Sequence, residues 1–171
     1  MVNTVRQTLA GVKDGITKKV LGLLFGEVAD RLNSVSLSSA GLVIKTGGSA
    51  LIKNGTAWYG FANGKLVTKA ANTDMAALSG TVTNAKFNVF AFFVNSAGTL
   101  STSMGTEAST LAGVVVPTKP IGSALIGYAI INPTGTGNFV GGTTPIDDAT
   151  VVPGVLYINA IGASDATFLL S

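Results

Sequence analysis

The sequence predicts a mainly β protein with an N-terminal α-helical arm, the β part forming an antiparallel sandwich or barrel-like domain. Three observations carry this expectation. Apolar residues recur at steps of three or four from Val5 to Leu32, and that period then stops. From about residue 40, short β-prone runs alternate with Gly, Pro, Asn and Thr turns at spacings of about 8–12 residues, as in sandwiches and barrels. Charged residues make up only 11% of the chain, against about 25% in an ordinary globular domain. A surface so poor in charge is built from Ser, Thr, Asn, Gly and apolar atoms, and such surfaces are often covered by other subunits. The two parts divide near residue 36, giving an arm over 1–36 and a β domain over 37–171.

Within the arm, residues 3–33 read as helix. Val5, Leu9, Val12, Ile16, Val20, Leu23, Leu24, Val28 and Leu32 form one apolar stripe, with Arg6, Lys13, Asp14, Lys18, Lys19, Glu27, Asp30 and Arg31 between them. Asn3 or Thr4 is placed to cap the start, and the run "NSVS" to end it. Four glycines interrupt the pattern, each costing about 1 kcal/mol against Ala in a helix interior. Gly11/Gly15 and Gly22/Gly26 are i, i+4 pairs, a spacing that lets another backbone approach closely. Two arrangements fit: one helix packing on copies of itself or on a partner, or two shorter helices, broken near Gly15 or Gly22, packing on their own domain. The apolar steps drift toward four, so a long regular coiled coil is not expected.

In the β domain, Gly47-Gly48, Asn54-Gly55 and Asn63-Gly64 each separate short β-prone runs, and Asn-Gly suits a tight hairpin because both central residues need positive φ. Four strands in a meander are expected near 41–46, 49–53, 56–61 and 65–70. Residues 73–80 fit a short helical turn capped by Asp74, or a loop. The run "KFNVFAFFV" at 86–94 reads as a central strand, "NSAG" at 95–98 as a turn and 99–104 as the returning strand. A Pro-directed loop follows over 114–122, then a buried strand over 123–132 and a turn at 133–138. Short strands are expected near 139–140 and 143–146, and a last one over 155–162.

Few reactive groups are available. The chain has no Cys and no His, which excludes disulfides, thiolate nucleophiles and Cys/His metal sites and removes the usual general base. The net charge of +3 is spread without a dense basic stripe, so phosphate-driven nucleic-acid binding is not expected. The N-terminus lacks the continuous apolar core of a signal peptide, and the run at 20–26 is too short to span a bilayer, so a product made in the cytoplasm without a membrane partner is expected. Asp147 and Asp148 are adjacent and would point apart on a strand, which fits a turn better than a catalytic pair. Asp74, Glu107 and Asp165 stand singly, with no spacing that suits a metal site. A Ser–Lys pair using Lys45, Lys53 or Lys119 is selected by no spacing, and "GTGNFVGG" lacks the Lys and Ser/Thr of a phosphate loop. No enzyme, cofactor or metal is expected. Trp58 and Tyr59 are adjacent, so on a strand one faces in and the other out; an outward aromatic suits a subunit interface or a sugar.

The segment "FNVFAFFVNSAGTLSTSMGT", followed by "VVVPTKPIGSALIGYAIINPTGTGNFVGGTTPIDDATV", resembles structural proteins of tailed bacteriophages. The shared pattern is a strand ending in an Asp/Asn-x-x-Gly turn, a second strand, a Pro-x-x-Pro loop, an "IGY" strand and a "GTT" segment with a small acidic turn. The resemblance covers about residues 86–152. It implies a virion component made in the host cytoplasm: a head decoration (cement) protein, a head fibre, or a tail or fibre subunit. Proteins of this kind are commonly β-rich homotrimers bound to the major capsid or another virion protein, and no catalytic residue carries over. The residues expected at an oligomer or capsid interface are Val5, Leu9, Val12, Ile16, Val20, Leu24, Trp58 and Tyr59. The alternative is a receptor- or carbohydrate-binding module of a fibre or cell surface, using Trp58 and Tyr59.

Overall fold

The computed structural model describes residues 18–162. The expected helical residues 3–17, with Val5, Leu9, Val12, Ile16 and the Gly11/Gly15 pair, lie outside them. Helix α1 (Lys18–Asn33) comes first and leads through Ser34 into strand β1 (Val35–Ser36). There follow β2 (Leu42–Ile44), β3 (Ile52–Asn54), β4 (Trp58–Ala62), β5 (Lys65–Lys69), β6 (Thr81–Val82), β7 (Asn88–Val94), β8 (Leu100–Met104), β9 (Ala124–Ile131), β10 (Phe139–Val140) and β11 (Val155–Asn159), with one 3-10 turn at Leu111–Gly113. The protein is mainly β, every strand pairing is antiparallel, and the sheets stack in a sandwich-like arrangement.

The central sheet has the order β11-β9-β7-β8. All seven residues of β7 and all eight of β9 are buried, so both faces of this sheet are covered. That is why these runs are continuously apolar rather than alternating. One face carries Phe90, Phe92, Val94, Ile126 and Ile131, and meets Leu42, Ile52, Trp58, Val67, Val82 and Phe139 from the first strands and from the β6–β10 pair. Phe90 and Phe139 meet edge to face at 6.2 Å between ring centres. The other face carries Val89, Ala91, Phe93, Leu125, Tyr128 and Ile130, under Ala108, Leu111, Val114 and Val116 of the segment between β8 and β9. Between Phe92 and Phe93 the register to β9 shifts, Phe92 pairing with Gly127 and Phe93 with Leu125, so Ile126 is a bulge. Gly127 is required there: a Cβ would sit 2.3 Å from the Ile158 carbonyl oxygen and 2.8 Å from Leu42 Cδ1.

The expected four-strand meander is corrected. β2 and β3 pair with each other, while β4 pairs with β5 on one side and β1 on the other. Asn63 (φ 50°) and Gly64 (φ 74°) do make the β4–β5 hairpin turn. Asn54-Gly55 does not join paired strands. The Asn54 side chain is buried, donates to the carbonyls of Thr56 (2.9 Å) and Ala70 (2.8 Å), and accepts from the Thr73 N–H (2.6 Å). Its role is to tie the β3–β4 turn to the loop that follows β5. Residues 73–80 are a loop that buries Met75 and Leu78, and Asp74 pairs with Lys45. Residues 143–146 form a turn in which Thr143 and Thr144 donate to the Val140 carbonyl, in place of the expected strand.

Candidate functional site

Helix α1 is fastened to the β domain at one end and by one side. The Asn33 carbonyl accepts from the Gly64 N–H at 2.8 Å. Buried Ser34 donates to Asp30 and accepts from the Asn63 N–H. Asp30 accepts from the Gly122 N–H at 2.7 Å and pairs with Lys119, which also donates to the Ser123 carbonyl. Burial pushes the Asp30 carboxyl up, but the Lys119 and Gly122 hydrogen bonds and the Lys119 charge outweigh it and hold it below the ordinary carboxylate range.

The apolar stripe does not face this attachment. At about 100° per residue, Val20, Leu24, Phe25, Val28 and Leu32 span an arc of roughly 140°, and Asp30 lies roughly 150° round the helix from its middle. These five side chains are between 46% and 70% exposed, and Leu23, on the Asp30 side of the helix, is 66% exposed, so beyond its fastened end α1 shows apolar side chains to solvent round most of its circumference. An amphipathic helix in a self-sufficient domain does the reverse. Two ion pairs are formed by the last two turns of α1: Glu27 pairs with Arg31 at 2.8 Å and Asp30 with Lys119. A Cβ added at Gly22 or Gly26 would meet nothing within 4 Å, so this pair of small residues also faces open space.

Of the expected interface residues, Val20 and Leu24 lie on this outward stripe. Trp58 is corrected. It is fully buried, its indole N–H donates to Ser36 Oγ at 3.3 Å, and its ring covers Gly60 so closely that a Cβ there would lie 2.4 Å away. It is core and presents no face to a partner or a sugar. Tyr59 points outward, 48% exposed, as the strand alternation requires. The structure does not bring Tyr59 and Trp58 to one surface. Phe25, in the stripe, was missed by reading only the strongest three-and-four steps. The Asp30–Lys119 fastening joins residues 89 apart and leaves no local signal.

The other polar candidates are engaged in turns. Asp148 accepts from the Thr150 hydroxyl and N–H, which lower its pKa. Asp147 accepts from the Gly48 N–H at 3.0 Å. Glu107 accepts from the Thr83 N–H and hydroxyl, both at 2.8 Å, and these hydrogen bonds hold its carboxyl low. A shallow cavity of about 260 Å³ has Tyr157 and Asp147 in its lining. The Tyr157 phenol is pushed up to about 12 by burial and by the Asp147 charge, so it stays protonated at neutral pH. Among the described residues, no group of three His, Cys, Asp or Glu is placed to hold a metal, and no helix is long and apolar enough to cross a membrane.

Comparison of the chain with protein-family models, curated proteins and solved structures gives no match.

Proposed function

We propose that this chain is a structural subunit that assembles through α1 into a homotrimer and serves as a head decoration (cement) protein of a tailed phage, bound to the major capsid or another virion protein. One observation carries the assembly: α1 is held by its Asp30 side and turns Val20, Leu24, Phe25, Val28 and Leu32 outward. Contiguous apolar surface of this kind marks an interaction site. The trimer and the virion setting are supported by the resemblance of residues 86–152. The low charge and the engagement of the carboxylates in turns fit a scaffold better than a catalyst. The glycan-binding alternative loses one of its two aromatics, because Trp58 is sealed in the core.

The test is the mass of the full chain in solution, by light scattering behind size exclusion. A particle of three times the 17.2 kDa chain mass is expected, with Leu24→Asp/Val28→Asp reducing it to one chain while the far-UV spectrum is kept. Binding to phage shells is then read by co-sedimentation. Wild-type monomer at tens of micromolar, or an unchanged mass in the double variant, would sink the assembly role of α1. Failure to sediment with any shell would remove the decoration role.

A further inference from the structure

We infer that the outer face of the β1–β4–β5 sheet, centred on Leu37, Tyr59 and Leu66, is the second part of the surface through which copies of this chain contact one another. This rests on the reading of α1 as the assembly arm and extends it to the β domain.

The register defines the face. Val35 pairs with Phe61 and Phe61 with Leu66; Tyr59 pairs with Thr68, and the Leu37 N–H donates to the Tyr59 carbonyl. Strand alternation puts these six side chains on one side, and Ser36, Trp58, Ala62 and Val67 on the buried side. A sheet face turned to water is normally polar. Here Leu37, Tyr59 and Leu66 are 53%, 48% and 54% exposed, with Val35 and Phe61 half-buried between them. None of the six is Asp, Glu, Lys, Arg or His. Lys65 and Lys69 alternate to the other side, and Lys69 is tied to the Gly98 carbonyl. A neutral face offers nothing to a polyanion or an anionic membrane, and a second neutral face fits it.

The sheet that carries this face is joined directly to the C-terminal end of α1, through Asn33 to Gly64 and Ser34 to Asn63. β9 runs beneath the inner face of the sheet, where Ser36 Oγ donates to the Leu125 carbonyl. The loop leading into β9 supplies Lys119 and Gly122, which hold Asp30. Only Ser34 separates α1 from β1, and its hydrogen bonds fix the junction.

Area points to a second copy as the occupant. Full burial of a Leu or Val side chain corresponds to roughly 60–120 Å², so five half-exposed stripe side chains offer on the order of 300 Å². A stable interface buries about 800 Å² per partner, a little over half of it apolar. The stripe alone falls short of that, and Leu37, Tyr59 and Leu66 add on the order of 200 Å², which closes the gap.

The experiment compares full-length wild type with Leu37→Lys/Leu66→Lys by light scattering over a dilution series. Tyr59→Cys is also labelled with a maleimide, and the absence of native Cys makes this readout unambiguous. The double Lys variant is expected to dissociate at about tenfold higher concentration or more, since unpaired charge is being buried. Labelling at position 59 is expected to be slow in the oligomer and fast after dilution, unlike the exposed control Ser109→Cys. If the variant fails to fold, the labelling decides. A wild-type dilution curve in the variant, or labelling at 59 as fast as at 109 within the oligomer, overturns the inference and leaves the α1 reading standing on Leu24→Asp/Val28→Asp. Protection of position 59 only when phage shells are added also overturns it, because the occupant is then another protein. A wild-type monomer throughout overturns both.

Discussion

Asp30 on the helix and Gly122 in the loop before β9 are joined by a 2.7 Å hydrogen bond, and this bond sets which side of α1 faces the β domain. With Lys119 on the same carboxylate, it holds Asp30 inward at the fastened end and leaves the apolar stripe exposed.

Asp30→Ala is expected to destabilise the chain by about 1.5–3 kcal/mol, the range for a hydrogen bond to a charged group that leaves its partner unpaired. Urea unfolding measures it. The pH dependence follows from the lowered carboxyl. A carboxylate depressed in the folded state contributes stability that is present above its unfolded value and is lost as pH falls through its folded value. The Asp30 fastening should therefore hold at neutral pH and weaken in acid below the ordinary carboxylate range. In Asp30→Asn that acid-dependent part should be smaller.

Gly127→Ala should cost more than about 2 kcal/mol, because the added Cβ meets backbone, the Ile158 carbonyl, which no side-chain rotation can clear. An unfolding midpoint equal to wild type would show that β11 can shift freely against the bulge.

Trp58→Ala and Tyr59→Ala, neighbours in sequence, should separate. The first removes a fully buried ring and should cost about 3–5 kcal/mol of stability. The second should leave the stability of the isolated subunit within about 0.5 kcal/mol and lower the oligomer mass on dilution. Denaturant titration at low protein concentration, with light scattering on the same samples, reads both.

Asn54→Ala should destabilise by about 1–3 kcal/mol, since its loss strands the Thr73 N–H and the Thr56 carbonyl and leaves the Ala70 carbonyl to the Thr73 hydroxyl alone. Were Asn54 only a turn residue, the cost would be a few tenths.

These residues show how far the sequence could be read. β7 and β9 were legible because both sheet faces are covered, and continuous apolar runs record that directly. The Asn95–Gly98 turn and the Asn63-Gly64 hairpin were legible because their chemistry is local. Asn54-Gly55 carries the same dipeptide with a different purpose: its amide bonds to residues up to 19 positions away, which spacing does not encode. In the helix, the period revealed the stripe but not the direction it faces. That direction is fixed by Lys119 and Gly122, about 90 positions later. The Trp58–Tyr59 pair showed that one ring goes in, while the choice of Trp58 depends on the space over Gly60 and on Ser36 as acceptor.

Trp58 is the single tryptophan, packed over Gly60 and away from water. Its fluorescence therefore samples the interior alone: blue-shifted in the folded subunit, red-shifted when the core opens, and blind to contacts made by the arm or at Tyr59. A change in its emission on dilution or heating therefore reports opening of the core and nothing else, so stability can be read without attaching a dye and without interference from the surface.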